Sequence, residues 1–141
     1  MKKIRAHHLI CFSRHHDTGW YSKDYEKNFK AIFKDIIKNP NQKIKIKRDC
    51  EDICKKCPYV KNKTCNKPSK YKINHWVKVM DNKTLRLIKI KPDTIHTAKE
   101  LLKLVSSKIT NKDLRNICKG CEYLPNCLRL GINKSVKKII K

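Results

Sequence analysis

Long apolar runs are missing from this sequence. No stretch approaches the ~20 residues a membrane-spanning helix needs, so no membrane partner is expected. The opening, MKKIRAHHLICFS, has the charge of a signal peptide, but His7 and His8 break the apolar run of roughly 7–15 residues that a leader requires. A cytoplasmic protein is the expectation. Glycine is scarce, three in 141 residues, and no repeat, low-complexity block or Gly/Ser linker divides the chain. One domain over residues 1–141 is therefore expected. Acidic residues are few as well, 12 against 36 basic ones, which leaves a net charge of +24. That excess suits a polyanion partner such as nucleic acid. Arginine, which supplies bidentate phosphate and guanine contacts, is limited to Arg5, Arg14, Arg48, Arg86, Arg115 and Arg129. A genome biased toward A and T enriches Lys, Ile and Asn, and this chain is rich in all three, so composition accounts for much of the charge and nucleic acid is not favoured. No Gly-rich phosphate loop, Ser/His/Asp order or paired-carboxylate motif stands out. Whether the chain is an enzyme is open at this level.

What the chain does have is cysteine. Eight occur, as Cys50, Cys54, Cys57 and Cys65, then Cys118, Cys121 and Cys127, with Cys11 apart. In a reducing compartment such clusters point to metal or iron–sulfur ligation before disulfides. A Cys-x2-Cys pair aims two thiolates at one centre, and two pairs exist, Cys54/Cys57 and Cys118/Cys121. A zinc ribbon separates its pairs by about 15–20 residues, whereas here sixty intervene. Iron–sulfur clusters are typically held by four thiolates. The neatest division is Cys50, Cys54, Cys57 and Cys65 for one site and Cys11, Cys118, Cys121 and Cys127 for another; one shared site remains an alternative. With a hydrophobic fraction of 39% the core is thin, so a metal site can contribute to stability. Lysines around the loops favour thiolate formation and offset an anionic cluster.

The remaining pattern predicts an α+β domain, mostly helical, with a short strand pair and irregular cysteine loops stapled by metal or iron–sulfur sites. Residues 4–14 read as a short helix. Residues 22–38 form the clearest helix, with Ser22 as N-cap, Tyr25, Phe29, Ile32, Phe33, Ile36 and Ile37 on one face, and Asn39-Pro40 as its end. KIKIK (43–47) alternates as a half-buried strand, expected at a sheet edge because its lysines discourage pairing. Residues 71–91 suit either strand or helix. Asp93 or Thr94 is expected to cap a helix running to about Ser106, with Ile95, Ala98, Leu101, Leu102 and Val105 inward. "TNKD" (Thr110 to Asp113) starts a short helix that delivers Cys118. The tail from Ile132 to Lys141 places Lys134, Lys137, Lys138 and Lys141 on one helical face, read as solvated surface.

"CEDICKKC" (Cys50 to Cys57) resembles the Cys-x3-Cys-x2-Cys loop of radical S-adenosylmethionine enzymes. Context argues against that reading, since those enzymes need a βα barrel of roughly 200 residues and Lys56 stands where an aromatic is usual. "CKGCEYLPNC" resembles the Cys-x2-Cys-x5-Cys core of the SPASM segments that hold auxiliary clusters, with Gly131 in place of their fourth Cys.

Taken together, "RAHHLIC" (Arg5 to Cys11), the turn at Gly19, Trp20 and Tyr21, the Asn28-bearing helix, "DICKKCP" (Asp52 to Pro58) with Cys65, and "ICKGCEYLPNC" (Ile117 to Cys127) resemble a family of small bacterial and archaeal proteins, domain of unknown function 1284. Tyr123 replaces the family's usual Trp, and Cys50 falls outside its pattern. The resemblance implies iron–sulfur binding, through Cys11, Cys54, Cys57, Cys65, Cys118, Cys121 and Cys127, and implies no reaction. His7 and Cys11 are four apart and share a helix face; His7 and His8 are lesser candidates as ligands, beside Cys50. Either histidine has an alternative role, holding the N-terminus down by hydrogen bonds. Arg5 is expected to pair with a buried carboxylate such as Asp52, which itself organises its turn; its alternative is to bind an anionic ligand near the cluster. His15, His16, His75 and His96 lack ligand spacing. Three functions follow. The first is a protein with one or two [4Fe–4S] clusters that moves electrons to a redox partner or senses redox state. The second is a zinc-stapled nucleic-acid-binding module. The third is a small enzyme using an open cluster iron.

Overall fold

Ile44 and Ile46 alternate with lysines, and that alternation builds the sheet at the centre of the molecule. The computed structural model describes residues 1–14, 23–48, 60–61, 64–65, 73–119, 121 and 124–141. Strand β2 (Lys43–Lys47) buries both isoleucines on one face. It pairs in parallel with β1 (Lys2–Arg5) and antiparallel with the short strand β5 (Ile95–Thr97), giving the order β1-β2-β5. KIKIK is thus the central strand, not an edge. Alternation reports which face of a strand is wet and says nothing about its place in the sheet. Lys47 is held by an ion pair with Asp93 at 2.7 Å.

Parallel pairing of β1 and β2 requires a crossover, and helices α1 (Ala6–Ser13) and α2 (Lys23–Lys38) fall within it. Residues 4–14 therefore divide: Ile4 and Arg5 belong to a strand, and the helix starts at Ala6. Helix α2 runs as its periodicity predicts, burying Tyr25, Phe29, Ile32 and Ile36, while Phe33 and Ile37 pack at the core margin. Ser22 lies outside the described residues. Phe12 joins the two helices by stacking on Phe29, with ring centroids 4.9 Å apart.

A two-stranded ribbon, β3 (Val60–Lys61) with β4 (Thr64–Cys65), lies in the chain before α3 (Ile73–Ile88). The segment that fits strand or helix is thus a helix, and α1 packs on it. The next helix begins later than expected. Asp93 sits in the left-handed region, φ 64°, which an N-cap does not adopt. The chain instead adds β5, and Thr97 caps α4 (Ala98–Lys108) through a reciprocal capping box with Glu100. Ile95 is consequently 49% exposed, while Ala98, Leu101, Leu102 and Val105 are buried as predicted.

Thr110 and Asp113 form a second capping box that starts α5 (Asn111–Ile117), with Cys118 as its C-cap. Helix α6 (Leu124–Leu130) follows and ends at Gly131, whose positive φ of 71° suits the N–H it donates to the Cys127 carbonyl. Helix α7 (Lys134–Ile139) is capped by Asn133, buries Val136 and leaves Lys134, Lys137, Lys138 and Lys141 exposed. The architecture is α+β and mostly helical, with a three-stranded sheet where a strand pair was expected and a separate ribbon. Among the described residues no helix is long and apolar enough to cross a membrane.

Candidate metal centre

Helix α1 carries chemistry at both ends. At its start, Arg5 and His7 meet Asp81, which sits on the inward face of α3 with Met80, Thr84, Leu85 and Ile88. Asp81 is 0% exposed and Arg5 2%. Arg5 Nε donates to Asp81 Oδ2 at 2.8 Å, and its Nη2 donates to the Arg48 carbonyl at 3.0 Å. Asp81 Oδ1 accepts the backbone N–H of His7 at 3.0 Å and lies 2.7 Å from His7 Nδ1. Burial works to raise the Asp81 pKa, but His7 and Arg5 outweigh it and hold the carboxyl below its ordinary range. Burial is also the main influence on His7 and, although Asp81 opposes it, lowers the ring to about 4. At neutral pH the ion pair is therefore Arg5–Asp81, and His7 is a neutral ring oriented by it. The His8 ring stands edge-on to it, 4.5 Å away.

At the other end, Arg14 closes α1 and reaches into the cysteine-bearing helices. Its Nη1 donates to Asn111 Oδ1 at 2.8 Å and to the Cys127 carbonyl at 2.9 Å. The Ser13 carbonyl beside it accepts the N–H of Asn133 at 2.8 Å. The Cys121 N–H donates to the Cys118 carbonyl at 2.8 Å, the turn expected of a Cys-x2-Cys pair. Cys118 and Cys127 both lie within electrostatic reach of the Arg14 guanidinium, and Cys121 within reach of Cys127. Burial pushes the Cys127 thiol up, proximity to Cys121 adds to this, and Arg14 counters it. Cys11 is one turn before Arg14 on α1. All four thiols are half-buried and form no disulfide.

A model of the family described as a protein of unknown function, DUF1284, matches residues 20–127. The chain belongs to that family. No curated protein and no solved structure matches it. The span matched to DUF1284 takes in both cysteine sets and begins after "RAHHLIC". Arg5, His7 and Cys11 therefore stand on geometry alone.

Of the residues the sequence singles out as ligands, Cys11 lies on α1, Cys118 caps α5, Cys121 follows in the loop and Cys127 lies on α6; Cys118 and Cys127 stand near Arg14. The donor set is soft and cationic at its centre, which fits a thiolate-held anionic group. It is not preassembled: among the described residues no three His, Cys, Asp or Glu side chains already stand together as a metal group. Cys50, Cys54, Cys57 and Asp52 lie outside the described residues, and Cys65 is placed only by its strand, β4. The buried carboxylate that meets Arg5 is Asp81, which the sequence reading did not single out. Its signal was present: read as a helix, residues 73–88 put Asp81 among the apolar positions. Arg14 was missed too, although it follows His7 and Cys11 at helical spacing. His96 bonds Thr94 Oγ1 at 2.9 Å, apart from either group.

Proposed function

We propose that this chain is an iron–sulfur cluster-binding protein that transfers electrons or senses redox state. The observation that carries the reading is the Arg14 guanidinium among Cys118, Cys121 and Cys127, with Cys11 one turn away on the same helix. Cys118 and Cys127 lie within electrostatic reach of that fixed cation, and Cys121 within reach of Cys127. A cluster bound there would take up and release single electrons. The chain's own contribution is to supply thiolates, to offset the cluster's negative charge with Arg14, and to exclude bulk water by half-burying the sulfurs. Cys54, Cys57 and Cys65 are assigned to a second site by their spacing alone.

Anaerobically purified protein should be brown and carry iron and acid-labile sulfide, with a paramagnetic signal on reduction. Colourless protein with stoichiometric zinc would overturn the proposal. Salt-sensitive binding to DNA or RNA by such zinc protein would then favour a nucleic-acid module.

A further inference from the structure

We propose that the outward face of the three-stranded sheet is a docking surface for an acidic protein, with Ile95 as its apolar contact and the surrounding lysines as its rim. This does not depend on the iron–sulfur reading. Cross-strand register sets the face. Lys3 stands opposite Lys45, and Lys45 opposite Ile95, so one row crosses all three strands; Lys43 and Thr97 make the next. Residues paired in this way share a face and lie about 5 Å apart, while Ile4, Ile44 and Ile46 are buried in the core. Arg5, next on this side of β1, is buried on Asp81. The open part is therefore the end that holds Lys3, Lys43, Lys45 and Ile95. Lys3 and Lys43 are exposed, Lys45 is partly so, and Ile95 is 49% exposed.

Lysine on an edge strand guards against further pairing. Strand β2 is central, so that explanation does not reach Lys45, which has Lys3 directly opposite. Like charges so placed cost stability, and a partner's negative charge would relieve that cost. Asp93 holds Lys47 and stands within electrostatic reach of Lys45, and Glu100 within reach of Lys43. These two carboxylates do not offset the excess in a chain with 12 acidic and 36 basic residues. The exposed large hydrophobics among the described residues are Met1 and Ile95, and Met1 leads directly into β1. An aliphatic contact ringed by charge matches a protein interface, apolar at its centre and polar at its rim. A nucleic acid calls for other chemistry, aromatic rings that stack on bases and arginine forks for phosphate. Among the described residues the open part of the face has neither.

The experiment is fluorescence anisotropy on the full chain with three labelled probes. The first is a peptide of glutamates around a central leucine pair, the second the same peptide with glutamine for leucine, and the third a single-stranded RNA of equal charge. Saturable, salt-sensitive binding of the leucine peptide is expected, severalfold tighter than that of its glutamine counterpart. Ile95→Ser should remove that preference. Lys43→Gln with Lys45→Gln should weaken the leucine peptide about tenfold. Lys137→Gln with Lys138→Gln takes the same charge from exposed positions of α7 and should leave binding nearly unchanged. Equal losses in the two double variants would overturn the inference, since the field of the whole chain would then suffice. A leucine preference that survives in Ile95→Ser overturns it as well. RNA held more tightly than the peptide, and lost with Lys43 and Lys45, overturns it in favour of nucleic acid. Absence of binding to the leucine peptide at low salt overturns it outright.

Discussion

The two ends of α1 differ in how complete they are. At the N-terminal end, Asp81 receives three donors from Arg5 and His7, and every charge has its counter-charge within the chain. At the C-terminal end, Arg14 is 8% exposed, bonds only neutral oxygens among the described residues, and stands beside sulfurs that carry charge only as thiolates. The first end is satisfied as folded. The second has a buried cation beside half-buried thiols. One helix thus joins a buried ion pair to the cysteine-bearing end for which a cluster is proposed.

If the N-terminal end is structural, its loss is the largest effect to expect. Asp81→Ala strands a buried guanidinium and two N–H donors, and breaking such a pair costs about 3–5 kcal/mol. Urea denaturation should show a fall in unfolding free energy of that size, and a loss below about 1 kcal/mol would show that the pair does not hold α1 to α3.

Acid reads the same end by another route. With no metal bound, the folded His7 titrates at about 4 against an ordinary 6.5. Between those values the unfolded chain binds more protons, so stability should fall as pH drops from about 6.5 to about 4. At about 1.4 kcal/mol per pH unit the loss reaches about 3 kcal/mol. Asp81, held below its ordinary value, adds a loss only at lower pH, as the solution falls through its folded pKa. His7→Gln should flatten the upper part of the profile, and an unchanged slope would assign it to other groups.

Arg14→Met tests the opposite end and should divide stability from occupancy. Two hydrogen bonds from a charged donor disappear, worth about 3 kcal/mol together at the low end for charged donors. The larger expected change is in metal content, because the centre loses the cation that offsets it. Arg14→Lys should recover part of the metal and little of the geometry, since one ammonium does not reproduce the planar fork. Full metal content in Arg14→Met would break the comparison, leaving both ends merely structural.

Part of the fold was readable from the sequence, but the contrast between the two ends was not. The period of α2, the cap of α5 and the delivery of Cys118 follow from local residue chemistry, which the fold leaves intact. The misreadings share a cause in non-local partners. KIKIK looks like an edge strand until β1 and β5 flank it. Residues 93–97 look like a helix start until β5 pairs with β2 through Ile46 and its neighbours. Asp81 means little without Arg5, 76 residues away in sequence, and Arg14 means little until Asn111 and Cys127 are beside it. Spacing identifies ligand types; only tertiary packing shows which charges are already answered.

The smallest effect is the one that separates positioning from stability most cleanly. Thr110 and Thr97 each cap a helix by the same reciprocal box, so Thr110→Ala and Thr97→Ala should each cost about 1 kcal/mol. They differ in what the helix carries. Helix α5 starts with Asn111, which fixes Arg14, and ends in Cys118; α4 carries no sulfur and packs on α1 from the side. Loosening α5 should therefore lower iron content or broaden the paramagnetic signal, and loosening α4 to the same degree should not. Equal losses of metal in both variants would mean that occupancy simply follows global stability. A loss confined to Thr110→Ala would tie the cysteine end of α1 to the start of α5, through Asn111 and Arg14.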